Sequence, residues 1–262
     1  MKTLNRRHLL QTLALGAGTY GLGALAADTN SPAKGNLTAP PRSWPYLALD
    51  PERTAGLAYE YHHQKRSCMY GVFAGIILQL AEKVGEPYQS FPCEMMVYGA
   101  GGVAGWGTLC GALNGGAAAI ALLVRKEADR NALIDALYSW YQDRKLPAYA
   151  PQKPFFPGDL PALKPSSVLC HPSVSTWIKQ AKVSFYSKER EERCTRLSAD
   201  TARKTVELLN ANFVGTVTKP FDLGKQTSDC LSCHGKGGAR ADVLIKSCSG
   251  CHFPANHQHP NL

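Results

Sequence analysis

Residues 95–124 read MMVYGAGGVAGWGTLCGALNGGAAAIALLV, and none of them carries a charged side chain. A run of this length and character is long enough to cross a membrane. However, eight of the eighteen residues from Gly99 to Gly116 are glycine, and the polar Asn114 lies among them. We therefore predict a closely packed Gly/Ala helix in a protein core, beside a cofactor, and no membrane span in the mature protein.

The segments on either side of this run carry mostly helical patterns. The predicted helices are residues 54–82, residues 128–145, a helix that starts at Pro172, and residues 188–209. A turn at residues 85–87 ends the first helix, and residues 146–168 hold six prolines and form a loop. Because strand signals are scarce, the fold class is mainly α, with a helical bundle-like domain over residues 53–218.

The C-terminal segment, residues 219–262, has too few apolar side chains to form a core of its own. It contains the motif C-x-x-C-H twice, at Cys230, Cys233 and His234 and again at Cys248, Cys251 and His252. This is the attachment motif for c-type haem, in which the thiols bind the porphyrin and the histidine is the proximal iron ligand. We predict two covalently bound haem c groups that act as the core of this short, irregular segment.

A zinc ribbon is the alternative for the same cysteines, because two C-x-x-C pairs separated by fourteen residues can hold one zinc ion. A ribbon does not require a histidine after each pair, whereas haem attachment does. The N-terminal export signal also favours haem, since thioether attachment takes place outside the cytoplasm.

The sixth ligands of the two haems are less constrained. The tail histidines His257 and His259 are the first candidates. An extended chain of five residues spans at most ~17 Å, so the chain from His252 to His257 would have to pass around the porphyrin edge. We therefore expect a tail histidine to bind the other haem or a haem of a partner subunit. The other candidates are His62, His63, His171, Met69, Met95 and Met96.

The N-terminus, residues 1–26, has the pattern of a bacterial signal peptide. Arg6 and Arg7 precede a glycine-rich, mildly hydrophobic run that ends in the small-x-small sequence of residues 24–26. These features favour a twin-arginine signal over an ordinary secretion signal and predict a periplasmic protein. The twin-arginine route carries folded proteins, which suggests a second cofactor loaded in the cytoplasm. Residues 27–52 are polar and proline-rich, as in a linker or extended arm.

The charge balance does not indicate nucleic-acid binding. The formal charge of the chain is +9, and removing Lys2, Arg6 and Arg7 with the signal peptide leaves 9 − 3 = +6. Two haems would add four propionates and bring the holoprotein closer to neutrality. Basic and acidic residues also alternate in residues 188–193, as on a solvated helix face.

Five further cysteines lie outside the haem motifs: Cys68, Cys93, Cys110, Cys170 and Cys194. In an exported protein they could form two disulfides and one free thiol. The competing interpretation is a thiolate-bound iron site, with Cys68, Cys93, Cys110 and Cys194 as candidate ligands. Cys110 ends the glycine run, and glycine allows the backbone amides to approach cluster sulfurs. The export signal favours the iron site, in the form of an iron–sulfur cluster.

The stretches SCMYGVF (residues 67–73) and GGVAGWGTLCGALNG (residues 101–115), together with two closely spaced C-terminal haem sites, resemble split-Soret cytochrome c. They also resemble a wider group of redox-active proteins with a Cys-Gly-Ala-x-x-Gly motif, in which Cys68, Cys110 and Cys194 match recurring cysteines. The resemblance covers most of the mature chain. It implies a dihaem homodimer with stacked haems, an iron–sulfur type centre in the helical domain, and electron transfer.

Three functions remain open from the sequence. The first is an exported electron carrier that passes electrons between the thiolate centre, the haem pair and a redox partner protein. The second is a small periplasmic reductase that uses an open haem or iron site, and the third is a storage or sensor module. No acid–base constellation for a substrate is visible, so the sequence favours the carrier over an enzyme.

Overall fold

The computed structural model describes residues 44–216, 224–241 and Lys246. Within these residues the chain forms seven α-helices and one 3-10 helix and has no strand, which confirms the mainly helical fold class. The α-helices are α1 (Pro51–Lys65), α2 (Cys68–Val84), α3 (Gly111–Leu123), α4 (Glu127–Asp143), α5 (Cys170–Ala181), α6 (Lys188–Phe213) and α7 (Gly224–His234). The 3-10 helix spans Cys93–Gly99.

Helix α2 lies at the centre of the core. It is buried along most of its length and packs against α1, α3 and α6. Phe73, Ile76, Ile77 and Leu80 on this helix are almost completely buried. Burial of each such side chain contributes about 1.5–3 kcal/mol, so α2 is the main hydrophobic contributor to the stability of the domain.

The single helix predicted over residues 54–82 is wrong, because the chain turns sharply in its middle. Arg66 takes a left-handed conformation with φ of 51° and ends α1. Ser67 then caps α2, because its hydroxyl oxygen accepts a hydrogen bond from the Tyr70 amide. The apolar spacing continues across the break because α2 folds back onto α1, so the pattern alone did not reveal the turn. Cys68 consequently opens the second helix.

The glycine run also departs from the prediction in part. The Gly/Ala helix exists as α3 and is buried against α2 and α6, but it begins only at Gly111. Residues 101–107 form a tight loop in which four glycines have positive φ. No helix within the described ranges is both long and apolar enough to cross a membrane, as expected.

The remaining helices differ from the predictions mainly at their ends. Helix α4 agrees closely, whereas α5 begins at Cys170, two residues before the predicted start, and α6 continues to Phe213.

Buried polar contacts join α1 to α6. The Tyr59 hydroxyl donates to the buried Glu192 carboxylate at 2.8 Å, and His62 Nδ1 lies 2.9 Å from Ser198 Oγ.

The predicted arm of residues 27–52 is partly described. Residues 44–50 are extended and lie on the helical core, where Trp44 contacts the rings of Tyr88 and Phe91 and Leu49 is buried. Helix α1 begins at Pro51, so the last two residues of the arm belong to it. The predicted signal peptide lies outside the described residues.

Candidate functional site

Four of the five cysteines outside the haem motifs meet in one region. Cys68 is the first residue of α2, Cys110 caps the N-terminus of α3, and Cys170 is the first residue of α5. Cys194 lies within α6 and is hydrogen-bonded to Cys68, and both Cys110 and Cys170 influence this pair electrostatically. Helix N-termini carry partial positive charge, so at three of the four thiols the start of a helix acts against the effect of burial on the pKa.

A short backbone pairing brings two of these helix starts together. Leu109 and Leu169 form an antiparallel bridge, in which the Cys110 amide donates to the Val168 carbonyl at 2.9 Å. The Cys170 amide donates to the Thr108 carbonyl at 2.6 Å. Because each cysteine directly follows a bridge residue, the pairing fixes Cys110 and Cys170 on the same side of the site.

Two glycines permit the close approach of backbone to thiol that the sequence suggested. A Cβ on Gly111 would overlap the Gly99 carbonyl oxygen and lie 3.1 Å from the Cβ of Cys68. A Cβ on Gly102, whose φ is +69°, would lie 2.7 Å from the Cβ of Cys170. A side chain at either position would therefore push the thiols apart.

A directional hydrogen-bond chain connects Cys110 to Cys194. The Tyr141 hydroxyl donates to Cys110 Sγ at 3.3 Å and accepts from the Ser173 hydroxyl at 3.0 Å. The Arg193 guanidinium donates to Ser173 Oγ at 2.8 Å and to Cys194 Sγ at 3.8 Å. The five residues lie on four elements, with Cys110 at the start of α3, Tyr141 on α4, Ser173 on α5, and Arg193 and Cys194 together on α6. Folding of the domain therefore brings this hydrogen-bond chain together.

The four thiols differ in their protonation. The hydrogen bond from Cys68, with the charges of Arg193 and Arg190, holds the pKa of Cys194 well below its usual range despite burial. The same hydrogen bond and burial raise the pKa of Cys68. Burial also raises the pKa of Cys110, although the hydrogen bond from the Tyr141 hydroxyl lowers it in part. Burial raises the pKa of Cys170 to about 12. Of the four thiols, Cys194 is therefore the one whose surroundings favour the thiolate.

The donor set consists of soft thiolate ligands, which are the ligands that hold iron in iron–sulfur centres. All cysteines in the described ranges are free thiols, and none of the five is used in a disulfide there. Within the same ranges, no three side chains of histidine, cysteine, aspartate or glutamate are already arranged to hold a metal ion. Binding iron would thus require the neighbouring thiols to draw closer together.

Cys93, one of the four predicted ligands, is not brought into this group. It opens the 3-10 helix and is buried near Tyr61 and Tyr70, and burial and the Glu94 carboxylate raise its pKa to about 11. The fourth cysteine of this group in the structure is Cys170. The ligand role of Cys93 stays a prediction without support from its position.

The first predicted haem motif lies on α7. Cys230 and Cys233 are exposed free thiols three residues apart, and His234 is the last residue of the helix. Residues at positions i, i+3 and i+4 share one helix face, so the motif presents both thiols and the imidazole to the same side. After the helix the chain folds back, and the Arg240 amide donates to the Cys233 carbonyl at 2.9 Å.

The second haem motif and the tail histidines, namely Cys248, Cys251, His252, His257 and His259, lie outside the described residues. Lys246, two residues before the second motif, forms an ion pair with Asp135 of α4 at 2.6 Å. Tyr138 lies one turn further along α4. Burial, together with the charges of Cys110 and Asp135, raises the pKa of Tyr138. Helix α4 therefore contacts both Lys246, through Asp135, and the Cys110 thiol, through Tyr141.

The other candidates for sixth ligands have structural roles in the described part of the chain. His62 is buried and bonded to Ser198, and His63 stacks on Phe155 with ring centroids 3.4 Å apart. Met69 and Met96 are buried in the core. His171 and Met95 remain exposed, Met95 by 56%.

Cys170, Tyr141, Ser173 and Arg193 were not identified as site residues from the sequence. One signal was available for Cys170: Pro172 and Ser173 indicate a helix start, and Cys170 precedes them as Cys110 precedes α3. Arg193 lies in a run of alternating charges that resembles a solvated face. Its burial depends on how α6 packs, which the local pattern does not reveal.

Comparison with known proteins places this arrangement in context. Residues 73–208 match the family described as "Putative redox-active protein (C_GCAxxG_C_C)". A protein named split-Soret cytochrome c from Desulfovibrio desulfuricans is 37% identical over 269 aligned positions, covering 95% of this chain and 94% of the relative. A solved structure described as a novel iron centre in split-Soret cytochrome c from the same species matches with a TM-score of 0.75 and 37% identity. That match covers 80% of this chain and 90% of the solved chain.

Proposed function

Because the chain belongs to the split-Soret cytochrome c family, we propose that it is an exported dihaem c-type cytochrome. It transfers electrons between an iron–thiolate centre in the helical domain, two haems on the C-terminal segment, and a redox partner protein. The observation that carries the proposal is α7, which presents Cys230, Cys233 and His234 on one face of an exposed helix.

For the first haem, Cys230 and Cys233 would form the thioether bonds and His234 would be the proximal ligand. The second haem would be held in the same way by Cys248, Cys251 and His252, with His257 and His259 as candidates for sixth ligands. Bound haem supplies one-electron chemistry at a potential that axial ligands and burial tune. Both thiols on α7 are accessible to a cofactor, as covalent attachment requires.

The iron–thiolate centre would be held by Cys68, Cys110 and Cys194, with Cys170 as the fourth thiol in place of Cys93. The convergence of these residues at three helix N-termini supports the proposal, as does the solved relative, which is described as having a novel iron centre. Bound iron supplies a second one-electron site, while the thiols, Tyr141 and Arg193 fix its position and charge. An iron–sulfur cluster is the form that we propose.

The remaining parts of the proposal are a periplasmic location, export by a twin-arginine signal in residues 1–26, and a homodimer. Location and export rest on the N-terminal sequence alone. The homodimer rests on the family resemblance.

The test is metal and haem analysis of full-length protein exported from a host that matures c-type cytochromes. We expect an intact mass with two added haems, iron beyond the haem iron, and an EPR signal of a thiolate-bound iron centre. Zinc in place of haem would overturn the proposal in favour of a zinc ribbon. Binding of carbon monoxide or nitrite to the reduced haems would favour a reductase over a carrier.

A further inference from the structure

Arg193 is a buried cation that no carboxylate neutralises within the residues the structure describes. Only 2% of its surface is exposed, and its Nε has no hydrogen-bond partner. The adjacent Glu192 turns the other way and binds Arg196 at 2.6 Å. The guanidinium instead donates to Ser173 and faces Cys194.

Burial of a charge is strongly unfavourable unless an opposite charge compensates it. The thiols of the site are the groups around Arg193 that can supply negative charge, and the nearest is Cys194 Sγ at 3.8 Å. The unpartnered Nε leaves one donor available for a further acceptor. The position of Arg193 is therefore that of a counter-ion to an anionic group larger than one thiolate.

We propose that Arg193 is a positioning residue that sets the redox potential of the iron–thiolate centre. The proposal rests on the function proposed above. Ser173 holds the guanidinium in place, and Tyr141 continues the same hydrogen-bond chain to Cys110, a second proposed ligand. This chain of hydrogen bonds thus places hydrogen-bond donors at two of the thiols without adding an iron ligand.

The effect on the potential follows from charge. Reduction of the centre adds one electron from the external reductant, forms no bond and breaks none, and makes the centre one unit more negative. A fixed positive charge stabilises the reduced state more than the oxidised state, especially where water is excluded. Loss of the Arg193 charge should therefore lower the midpoint potential of the iron centre and leave the haem potentials unchanged.

The experiment is a redox titration of the full-length holoprotein, with the iron centre followed by EPR and the haems followed by absorbance in the same sample. For Arg193→Met we expect the ratio of reduced to oxidised iron centre at a fixed potential to fall at least about tenfold. That change corresponds to ~59 mV for a one-electron couple. The haem bands provide an internal reference.

Arg190→Met is the matched control. Arg190 lies one turn earlier on α6 and also acts on the charge of Cys194, but its guanidinium donates to the Phe185 carbonyl at 2.6 Å and stacks over the Phe185 ring. We expect a much smaller shift for this variant. An equal shift in the two variants would show that general charge, not the buried contact, sets the potential, and would overturn the proposal.

Two milder variants keep the test decisive if Arg193→Met does not fold. Arg193→Lys retains the charge and is expected to keep most of the wild-type potential, whereas Tyr141→Phe removes one donor and should lower it slightly. A folded, iron-loaded Arg193→Met variant with the wild-type midpoint would overturn the role of Arg193 and leave the proposed function intact. A fall of about tenfold in Arg193→Lys, which keeps the charge, would overturn it as well. Wild-type protein that contains no iron outside haem would instead refute the proposed function, and this inference with it.

Discussion

At the scale of single residues, His62 links α1 to α6 through a buried polar contact. Its Nδ1 lies 2.9 Å from Ser198 Oγ, and the residue is only 4% exposed. Burial, with the nearby charges of Arg190 and His63, lowers the pKa of His62 from 6.5 to about 3. The native state therefore holds the neutral imidazole, whereas the unfolded chain takes up a proton near pH 6.5.

This difference makes the free energy of unfolding depend on pH. Between pH 6.5 and about 3 the unfolded state binds one more proton at His62 than the native state. The contribution of His62 to the free energy of unfolding is therefore complete above this range and falls as the pH decreases through it. The expected loss is about 1.4 kcal/mol per pH unit. In His62→Gln, urea unfolding followed by circular dichroism should show a shallower pH dependence.

The matched control is His63→Gln, because His63 is only partly buried and stacks on Phe155. Its pH dependence should stay close to that of the wild type. Parallel pH profiles for His62→Gln and the wild type would contradict this interpretation of His62.

At the scale of elements, the contact between α1 and α2 depends on a glycine. A Cβ on Gly71 would lie 2.8 Å from both the Ala58 carbonyl oxygen and the Cβ of His62. The first of these atoms belongs to the backbone of α1, so it cannot move aside as a flexible side chain would. The two helices would have to separate to admit even a methyl group.

We therefore expect Gly71→Ala to destabilise the domain by about 1–3 kcal/mol, because overpacking outweighs the gain in helix propensity. Gly56→Ala on α1 is the control, since its Cβ would meet only the Tyr149 hydroxyl, at 3.7 Å. That variant should be as stable as the wild type or more stable, by up to about 1 kcal/mol. Thermal unfolding of the two variants side by side tests the contact, and equal stability would disprove it.

At the scale of the whole molecule, the part of the C-terminal segment that the structure describes contributes no side chain to the hydrophobic core. Every core side chain in the described residues lies between Leu49 and Leu209, whereas Cys230 and Cys233 on α7 are exposed. The two regions of redox chemistry are thus supported differently: the thiols by a packed bundle, and the haem motifs by a segment with few apolar residues of its own.

Deletion of residues 219–262 should therefore leave a folded helical domain. We expect a helical circular dichroism spectrum, a cooperative thermal transition and retention of the non-haem iron, with complete loss of haem. A truncated protein without a cooperative transition would show that the C-terminal segment is part of the folding unit.

A shorter truncation tests the proposed sixth ligands. Removal of residues 256–262 deletes His257 and His259 but neither attachment motif. We expect the haem to remain covalently attached while one of the two haems changes from low spin to high spin, as measured by absorbance and EPR. An unchanged low-spin spectrum would exclude both tail histidines as ligands.

The amino-acid sequence by itself determined the helical class, and it contains the two C-x-x-C-H motifs and the Cys110 segment on which the proposed function rests. These features are local, because helix periodicity and the C-x-x-C-H spacing depend only on neighbouring residues. The sequence also suggested that glycines around Cys110 let backbone amides approach cluster sulfurs, which stays a prediction. In the structure, a Cβ on Gly111 or Gly102 would lie against the Cβ of Cys68 or Cys170.

Only the tertiary structure decided which thiols meet and what surrounds them. The bridge between Leu109 and Leu169 joins positions sixty residues apart and selects Cys170, while Cys93 lies elsewhere. Arg193 looks like a surface charge in the sequence, yet α6 packing buries it beside Cys194. Such long-range contacts depend on how complete helices pack, and no local pattern of residues encodes that packing.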